Sequence, residues 1–157
     1  MITVRLSIVE DVRYLASRLR KEDLDEVLAG GGVSAEQSLM DGLNSSDVCL
    51  TGVNEHGLPM LMFGTVPHPS DPLVGGVWLL ASDEVLKHRT DFLRKSREYM
   101  DIFQRKYPVL MNFTDCRNSV HHRWLRWCRF NFINIVNGLG PGDHPFYEVV
   151  RIGTPDV

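Results

Sequence analysis

The segment "VWLLAS", Val77–Ser82, is the clearest guide to the architecture of this protein. Its unbroken apolar run after a pair of glycines is typical of a central strand that is buried on both faces. The spacing then becomes helical from Val85 to about Tyr107, and Pro108 ends the helix. A further apolar run at 109–115, "VLMNFTD", predicts another strand. A strand, a helix and a strand in this order predict a crossover connection within one sheet.

The sequence before this stretch predicts one strand, two helices and a hairpin. Val4–Ile8 has the short apolar alternation of a strand. A single helical stripe follows, which "AGGG" at 29–32 interrupts, and it consists of Val12, Leu15, Ala16 and Leu19. Ser34 followed by Gln37 predicts a capping box at the start of a second, shorter helix that ends near Asn44. Two β-rich runs within 47–66, separated by a turn rich in Asn, Gly and Pro, predict the hairpin.

After residue 115 the pattern predicts one helix and two strands. The helix lies in "NSVHHRWLRWCRF", 118–130, and its core side is predicted to hold Val120, Trp124, Trp127 and Cys128. The strands are "FINIV", 132–136, and "FYEVVRI", 146–152. The order β-α-α-β-β-β-α-β-α-β-β predicts an α+β fold, with a central mixed sheet flanked by helices. We expect a single domain over residues 1–157.

Charge is distributed unevenly along the chain. The formal net charge is -3, but residues 86–130 hold eleven Lys and Arg against four Asp and Glu, a balance of +7 that leaves -10 for the rest. This positive region suits a phosphate-bearing ligand or nucleic acid. A solvated basic helix surface gives the same pattern.

Three cysteines, Cys49, Cys116 and Cys128, are odd in number and widely spaced. They form no Cys-x-x-Cys pair and have no metal-ligand rhythm, so we interpret them as buried thiols in a reducing compartment. The first residues lack the pattern of a secretory leader, and no stretch approaches the ~18 apolar residues of a membrane span. We expect a protein of the cytoplasm, or one carried within a particle.

Three patches and the element order resemble the GNAT family of N-acetyltransferases over nearly the whole chain. Val4-Arg5 followed by Glu10-Asp11 is similar to the family's opening strand-to-helix junction. "VWLLAS" stands where the family's central strand presents backbone groups to the pantetheine arm of coenzyme A. The third patch, 118–130, resembles Asn-x-x-Ala-x-x-x-Tyr-x-x-x-Gly-Phe, matched by Asn118 and Phe130 but with His121, Leu125 and Arg129 at the Ala, Tyr and Gly positions.

The family resemblance implies a splayed sheet, in which the fourth and fifth strands part to leave a slot for the cofactor. A narrower resemblance is to GNAT-like proteins of short-tailed phages, which are small internal virion or morphogenesis proteins. It rests on "GGVWLLASDEV", "FLRKSREYMD", "YPVLMNFTDCRN" and "RWLRW". Two function hypotheses follow. One is transfer of an acetyl group from acetyl-CoA to a primary amine, and the other is a non-catalytic accessory role in virion assembly through a phage or host protein partner.

The GNAT resemblance also implies where acetyl-CoA would bind. The pantetheine arm would meet the backbone of Leu80 and Ala81, and Asn118 would cap the last helix and approach the same arm. In the family, bare backbone N–H groups of a glycine-rich loop hold the pyrophosphate at a helix N-terminus. Here that loop is "LKHRTD", 86–91, so the phosphates would instead need the side-chain cations of Lys87, His88 and Arg89.

Departures from the family motif bear on catalysis. Leu86, Arg89 and Asp91 stand at the three signature positions of the loop, and Asp91 would place an anion beside the helix start. The tyrosine that often serves as the acid is replaced by Leu125, and the motif does not predict a role for Tyr99 or Tyr147. Asp115, at the end of the fifth strand, is a candidate base, and a solvated loop carboxylate is the alternative interpretation.

Two other kinds of site are not expected. His121 and His122 point about 100° apart on a helix, and no Glu or Cys follows at i+3 or i+4, so we expect no metal. Arg123, Arg126 and Arg129 could contact phosphates over a broad face, but they match no nucleic-acid recognition module. The net charge of -3 also disfavours nucleic acid as a partner.

Overall fold

The fold is built on one seven-stranded mixed sheet. In this computed structural model, which describes residues 1–153, the strands lie in the order β1-β2-β3-β4-β5-β7-β6. The strands are β1 Thr3–Leu6, β2 Val48–Val53, β3 Pro59–Pro67, β4 Val74–Ala81, β5 Val109–Asp115, β6 Asn131–Val136 and β7 Phe146–Ile152. The helices are α1 Val9–Ala16, α2 Lys21–Ala29, α3 Ala35–Ser45, α4 Arg89–Gln104 and α5 Ser119–Trp127, and a 3₁₀ helix at Asp83–His88 precedes α4. β4 is central and the architecture is α+β, as the apolar run and the element order predict.

Three helices, not the predicted two, connect β1 to β2. The prediction of one helix through Leu19 is wrong, because α1 ends at Ala16 and α2 begins at Lys21. Between them Leu19 leaves the helical path and pairs with Ser82 in an isolated antiparallel bridge. The break is therefore made by a distant segment just after β4, and the local spacing of apolar residues does not reveal it.

Two helix starts are fixed by the side chains that the sequence identifies. Ser34 Oγ accepts a hydrogen bond of 3.1 Å from the backbone N–H of Gln37, and α3 begins at the next residue. Asn118 Oδ1 accepts one of 3.1 Å from the N–H of His121, and α5 begins at Ser119. Each bond satisfies a backbone donor that the first turn of a helix leaves unpaired. The cap at Asn118 is confirmed, and so is the Ser34 half of the capping box. Gln37 does not complete the box, since its side chain donates to Asp41 Oδ1 at 2.8 Å.

Both faces of the sheet are covered by helices. Leu61 and Phe63 of β3 pack on the face that α4 and α5 cover. Met62 points to the opposite face and packs in a second cluster with Val12 and Leu15 of α1. Successive strand residues point to opposite faces, and this alternation divides β3 between the two clusters. Within residues 1–153, no helix has both the length and the apolar character needed to span a membrane.

The buried side of α5 differs from the predicted one. Trp127 was assigned by its spacing to the core, yet it is 38% exposed and donates its indole N–H to Leu93 O at 2.8 Å. His121 is buried on the inward face instead, and a count of apolar residues cannot predict a buried histidine. The residues buried on that side are His121, Trp124, Leu125 and Cys128.

The three cysteines are free thiols in the described structure. Cys49 and Cys128 are buried as predicted, whereas Cys116 is only half-buried. Burial raises the pKa of Cys128 to about 12, so this thiol stays protonated and unreactive near neutral pH.

β4 and β5 separate after a short paired segment. Within residues 1–153 they pair, in parallel, only between Val74–Gly76 and Val109–Met111. β4 then continues beside β3 to Ala81, while β5 continues beside β7 to Asp115. The gap between these diverging ends is called the slot below, and side chains of α2 and α5 border it. The predicted parting of the fourth and fifth strands is confirmed.

Candidate functional site

The end of β4 turns backbone groups toward the slot. Ala81 N–H donates to Asp23 Oδ2 at 2.9 Å, and Ala81 C=O accepts from Arg20 N at 2.8 Å. Alternation along the strand therefore turns the backbone of Leu79 toward the slot and that of Leu80 toward β3. Of the two positions predicted to meet a cofactor arm, Ala81 is already bound by the chain, and Leu80 contributes only its side chain. Leu79 is the position that the prediction missed.

A buried ion pair lies at this end of β4. Arg20 donates to the Asp23 carboxylate through Nε and Nη2 at 3.0 to 3.2 Å, and both side chains are buried. Burial raises the pKa of Asp23, although the guanidinium favours the charged form. Since Asp23 also accepts the N–H of Ala81, the pair fastens the start of α2 to the strand beside the slot.

His121 is buried beside the slot and is only 2% exposed. Among residues 1–153, neither of its ring nitrogens has a hydrogen-bond partner, and neither does Nδ2 of Asn118. The ring stacks on Trp124 with 5.3 Å between centroids. Burial lowers the pKa of His121 to about 4, so the imidazole is neutral near pH 7. Buried polar atoms rarely stay unpaired, and this cluster therefore indicates a place that a ligand or water completes.

Glu26 is a second site residue that the sequence did not identify. From α2, its Oε1 accepts hydrogen bonds from Thr114 Oγ1 at 2.8 Å and from Asp115 N at 2.7 Å, across the slot on β5. Burial raises the pKa of Glu26. In the sequence it is one acid of the charged run "KEDLDE", so no local signal separates it from its solvated neighbours.

Asp115 is not the solvated loop carboxylate that the sequence suggested as the alternative to a base. It ends β5, its side chain is 3% exposed, and Arg117 binds it through Nε and Nη2 at 2.7 to 3.2 Å. The Arg117 guanidinium holds the pKa of Asp115 below its ordinary value, although burial opposes this. A carboxylate that a guanidinium keeps ionised is a weak base. The same bonds to Arg117 hold Asp115 in place at the end of β5.

A cleft of about 400 Å³ lies between the start of α4 and α5. Three arginines line it, Arg20, Arg89 and Arg123, of which Arg20 is already paired with Asp23. The carboxylates of Glu22 and Asp83 also line it. Apolar side chains of α4 and α5 form much of the remaining wall. This space is called the basic cleft below.

Only one of the three predicted phosphate-binding cations lines the basic cleft, and that residue is Arg89. Lys87 is exposed and pairs with Glu84 at 3.1 Å. His88 Nε2 lies 3.5 Å from Glu55 Oε2. The structure therefore does not bring Lys87 and His88 together with Arg89 around one ligand position.

The predicted phosphate loop is mostly helical. In the 3₁₀ helix Asp83–His88, backbone N–H groups bond carbonyls three residues earlier, which occupies donors that a loop would leave free. Asp91, at the third signature position, accepts from Ile2 N at 2.6 Å and from Arg94 at 2.6 Å. The Ile2 amide, more than Arg94, keeps the pKa of Asp91 low. The Asp91 carboxylate is therefore bound by Ile2, just before β1, and by Arg94 of α4.

A second cleft, of about 560 Å³, opens on the slot between α2, α3 and the sheet. Its lining holds the carboxylates of Glu26 and Asp41, and within residues 1–153 no lysine or arginine. This space is called the acidic cleft. His121 lines it, while Trp124, stacked on His121, lines the basic cleft, so the two clefts meet at this pair. Aromatic walls come from Trp78, Phe113 and Phe146.

The adjacent side chains of His121 and His122 contact different parts of the structure. His122 Nε2 donates to Asp115 O at 2.8 Å, whereas His121 faces the slot. No group of three or more His, Cys, Asp or Glu in the described part of the chain could hold a metal ion. The arginines of α5 also diverge, since Arg123 lines the basic cleft and Arg126 lies over the ring of Phe132.

No protein-family model matches the sequence, and no curated protein matches it. Solved structures do. Ard1 from Thermoplasma volcanium is 10% identical, with a TM-score of 0.75 over 98% of this chain and 99% of that one. AAC(6')-Ib in complex with ribostamycin and coenzyme A is 14% identical, with a TM-score of 0.71 over 96% of this chain and 93% of that one. An acetyltransferase of the GNAT family from Streptococcus pneumoniae is 11% identical, with a TM-score of 0.67 over 97% and 99%.

The chain has the GNAT fold. Identities this low carry the likeness of the fold alone, so the chemistry must be read from the residues of the clefts. Leu125, at the tyrosine position of the resembled GNAT motif, is fully buried. Tyr99 packs edge-on against Phe63, and Tyr147 packs against His122. Within residues 1–153 no tyrosine lines the basic or the acidic cleft.

Proposed function

We propose that the protein is a GNAT-type N-acetyltransferase, which transfers an acetyl group from acetyl-CoA to a primary amine by direct attack. The observation that carries the proposal is the slot, where a basic and an acidic cleft meet at His121 and Trp124. The reaction brings an anionic cofactor and an amine acceptor to one carbon atom, and positioning alone can lower its barrier by about 7 to 11 kcal/mol. One cleft offers Arg89 and Arg123 to phosphates and the other offers carboxylates to an ammonium group, and this arrangement suits that task.

Coenzyme A would place its phosphates beside Arg89 and Arg123 in the basic cleft. The pyrophosphate loop is degenerate, with Leu86 and Asp91 at signature positions, so arginine side chains take the place of backbone donors. The pantetheine arm would follow β4, where Leu79 turns its N–H and C=O toward the slot. Asn118, with its buried and unpartnered Nδ2, would approach the thioester end of the same arm.

The amine acceptor would enter through the acidic cleft. Glu26 and Asp41 attract an ammonium group there, and aromatic side chains offer faces on which a cation can rest. The GNAT-fold neighbour AAC(6')-Ib has been solved with ribostamycin and with kanamycin, which makes these amines reasonable first acceptors to test. The acceptor would then meet the thioester at the slot.

A second candidate is a non-catalytic accessory protein of phage virion assembly that acts in the host cytoplasm or in the virion through a phage or host protein partner. One observation favours it. The backbone N–H and C=O of Ala81, which a cofactor arm would be expected to meet, are already bound by Asp23 and Arg20. The 3₁₀ helix Asp83–His88 likewise uses its own backbone donors. Under this hypothesis the fold serves as a protein-binding surface.

Thermal stabilisation by coenzyme A separates the two functions. A ligand that binds only the folded protein stabilises it by about 2.7 kcal/mol at a hundredfold excess over Kd. We expect the melting temperature to rise with coenzyme A, and the rise to shrink in Arg89→Ala/Arg123→Ala. The exposed Arg105→Ala, outside both clefts, is the matched control and should respond like the parent. An unchanged melting temperature at millimolar coenzyme A would reject the transferase and favour the accessory role.

A further inference from the structure

The histidine at the junction of the clefts is unlike the other buried polar groups. Within residues 1–153, buried side-chain nitrogens or oxygens without a partner occur only on His121 and Asn118, one turn apart at the start of α5. A buried imidazole ordinarily pairs at least one of its nitrogens, and His121 pairs neither. His122, equally buried, follows the ordinary rule by donating to Asp115 O. The described protein thus leaves both nitrogens of His121 unpaired beside the slot, where a bound group could supply their hydrogen bonds.

Its position fits the meeting point of the two substrates. His121 lines the acidic cleft, where the amine would enter, and stacks on Trp124, which lines the basic cleft. Leu79 and Leu80, on the β4 side of the slot, line the same space as the ring. A thioester that lay along β4 and an amine that came from the acidic cleft would therefore meet in the space that His121 borders.

We propose, resting on the transferase function above, that His121 is the catalytic residue that carries the proton from the acceptor amine to the leaving sulfur. The acceptor first releases its ammonium proton to solvent in the open acidic cleft and reacts as the neutral amine. The lone pair of the amine nitrogen then attacks the thioester carbonyl carbon, so that a C–N bond forms and the C–S bond breaks with its electron pair on sulfur. His121 accepts the proton that the amine nitrogen loses and then donates a proton to the thiolate. The imidazole ends neutral, and the products are the acetylated amine and the free thiol.

The surroundings keep this imidazole in the form that the step needs. A base must be unprotonated before the attack, and burial keeps His121 neutral near pH 7. The same low pKa makes the imidazole a weak base, so the proton moves to it only as the C–N bond forms and the amine nitrogen becomes acidic. The charged and titratable groups that face it are Asp23, Arg20 and His122, with Glu26 on the wall of the same cleft. Asp23 favours the imidazolium that forms during the step, and Arg20 and His122 oppose it. If one imidazole both accepts the amine proton and protonates the sulfur, the reaction needs no tyrosine acid. This agrees with the presence of Leu125 at the tyrosine position of the motif.

Kinetics of His121→Gln test the role directly, with acetyl-CoA as donor and kanamycin or spermidine as acceptor. We expect kcat to fall at least about 100-fold, the usual effect of losing a general acid-base group, while KM for acetyl-CoA changes less than about threefold. His122→Gln is the matched control, because glutamine can keep the hydrogen bond to Asp115 O, and its kcat should stay within about threefold. A His121→Gln enzyme with a similar kcat would overturn the proposal.

Nuclear magnetic resonance of the histidine rings decides the point without an acceptor substrate, and it needs His121→Gln only to assign the signals. The ring signals of His121, assigned by their loss in His121→Gln, should shift when coenzyme A is added, because the thiol would reach the ring. The exposed His56 serves as the internal control and should not shift. If coenzyme A raises the melting temperature but leaves the His121 signals unmoved, the proton-transfer role is wrong and the transferase function stands. If coenzyme A has no effect on the melting temperature, both fail.

Discussion

At the scale of single residues, contacts decide what a carboxylate can do. Glu26 is half-buried and accepts hydrogen bonds from two uncharged donors, and its partial burial raises its pKa. Asp115, one peptide bond from Thr114, is held by a guanidinium, and Arg117 lowers its pKa. Both carboxylates lie at the same end of β5. Their pKa values shift in opposite directions because the donors nearest to Glu26 are uncharged, whereas the donor nearest to Asp115 is a cation. Glu26 is thus suited to respond to an incoming cation, and Asp115 to anchor the strand.

Asp47 should contribute stability that depends on pH. Although burial opposes it, hydrogen bonds from Lys106, Thr65 and Tyr107, at 2.6 to 2.7 Å, lower the pKa of Asp47 to about 2. A lowered folded pKa gives stability that is present above the unfolded value near 4 and is lost as the pH falls toward 2. We expect Asp47→Asn to cost about 1 kcal/mol at pH 7, because solvent screening at the exposed lysine reduces the full effect.

Urea unfolding of both proteins at pH 7, 4 and 2.5 checks this, and the difference between them should shrink across that range. The exposed Glu98→Gln, which also removes one negative charge, is the control and should show no such convergence. A difference that stays constant down to pH 2.5 would contradict the assignment.

Single residues were predictable where their partner is local. Asn118 caps α5 through a bond to the N–H three residues later, and the sequence identifies it. Glu26 bonds to Thr114 and to the N–H of the next residue on a different element, and nothing near it in the chain records that contact. The sequence offered two interpretations of His121, a replacement of the family's alanine and a metal ligand, and neither describes its place in the structure. Whether a buried ring has hydrogen-bond partners depends on residues from other elements, and the local sequence does not show them.

At the scale of elements, the loop between β6 and β7 is held against the end of α2. A Cβ at Gly140 would lie 1.8 Å from the backbone oxygen of Ala29, which cannot move without shifting the helix end. We expect Gly140→Ala to destabilise the protein by about 1 to 3 kcal/mol, as overpacking does, and to displace a wall of the acidic cleft through Leu139. Urea unfolding measures the first effect. Gly30→Ala, whose nearest contact is 3.4 Å, is the control, and equal midpoints for the two variants would contradict the prediction.

The junction of α1, α2 and β4 depends on the buried Arg20–Asp23 pair. Arg20→Met would leave Asp23 buried with an uncompensated charge, and we expect a loss of about 3 to 5 kcal/mol in the free energy of unfolding. Lys21→Met removes the neighbouring cation from an exposed pair with Asp25, so its unfolding midpoint should match that of the parent. If Asp23→Asn in the Arg20→Met background restored no stability, the uncompensated charge would not be the cause.

The elements themselves were largely visible in the sequence, and their interruptions were not. "VLMNFTD" forms β5 over the predicted residues, because a short apolar run that follows Pro108 is a local signal for a strand. The break between α1 and α2 arises where Leu19 pairs with Ser82, which lies beyond β4. The 3₁₀ helix before α4 likewise begins where Ser82 Oγ accepts a hydrogen bond from the N–H of Glu84. The spacing of apolar residues does not distinguish this 3₁₀ segment from the α-helix that follows.

For the molecule as a whole, the uneven charge seen in the sequence becomes a division between two clefts. Part of the basic segment 86–130 faces the basic cleft through Arg89 and Arg123, whereas Lys87 and Lys106 pair with acids at the surface. The acidic cleft draws Glu26 and Asp41 from the N-terminal half. The parting of β4 and β5 was expected from the family resemblance, but which charges would face it depends on side-chain directions that only the folded chain supplies.

This division predicts how ligand affinity should respond to salt. If Arg89 and Arg123 hold phosphates at the rim of the basic cleft, raising ionic strength from about 0.05 to 0.5 M should weaken coenzyme A binding on the order of tenfold, because exposed charges are screened. Pantetheine, which has no phosphates, would bind along β4 and should keep its weaker affinity across the same range. Titration calorimetry of both ligands at four salt concentrations measures the slopes. Coenzyme A binding that ignores salt, or falls no faster than that of pantetheine, would place the phosphates away from these arginines.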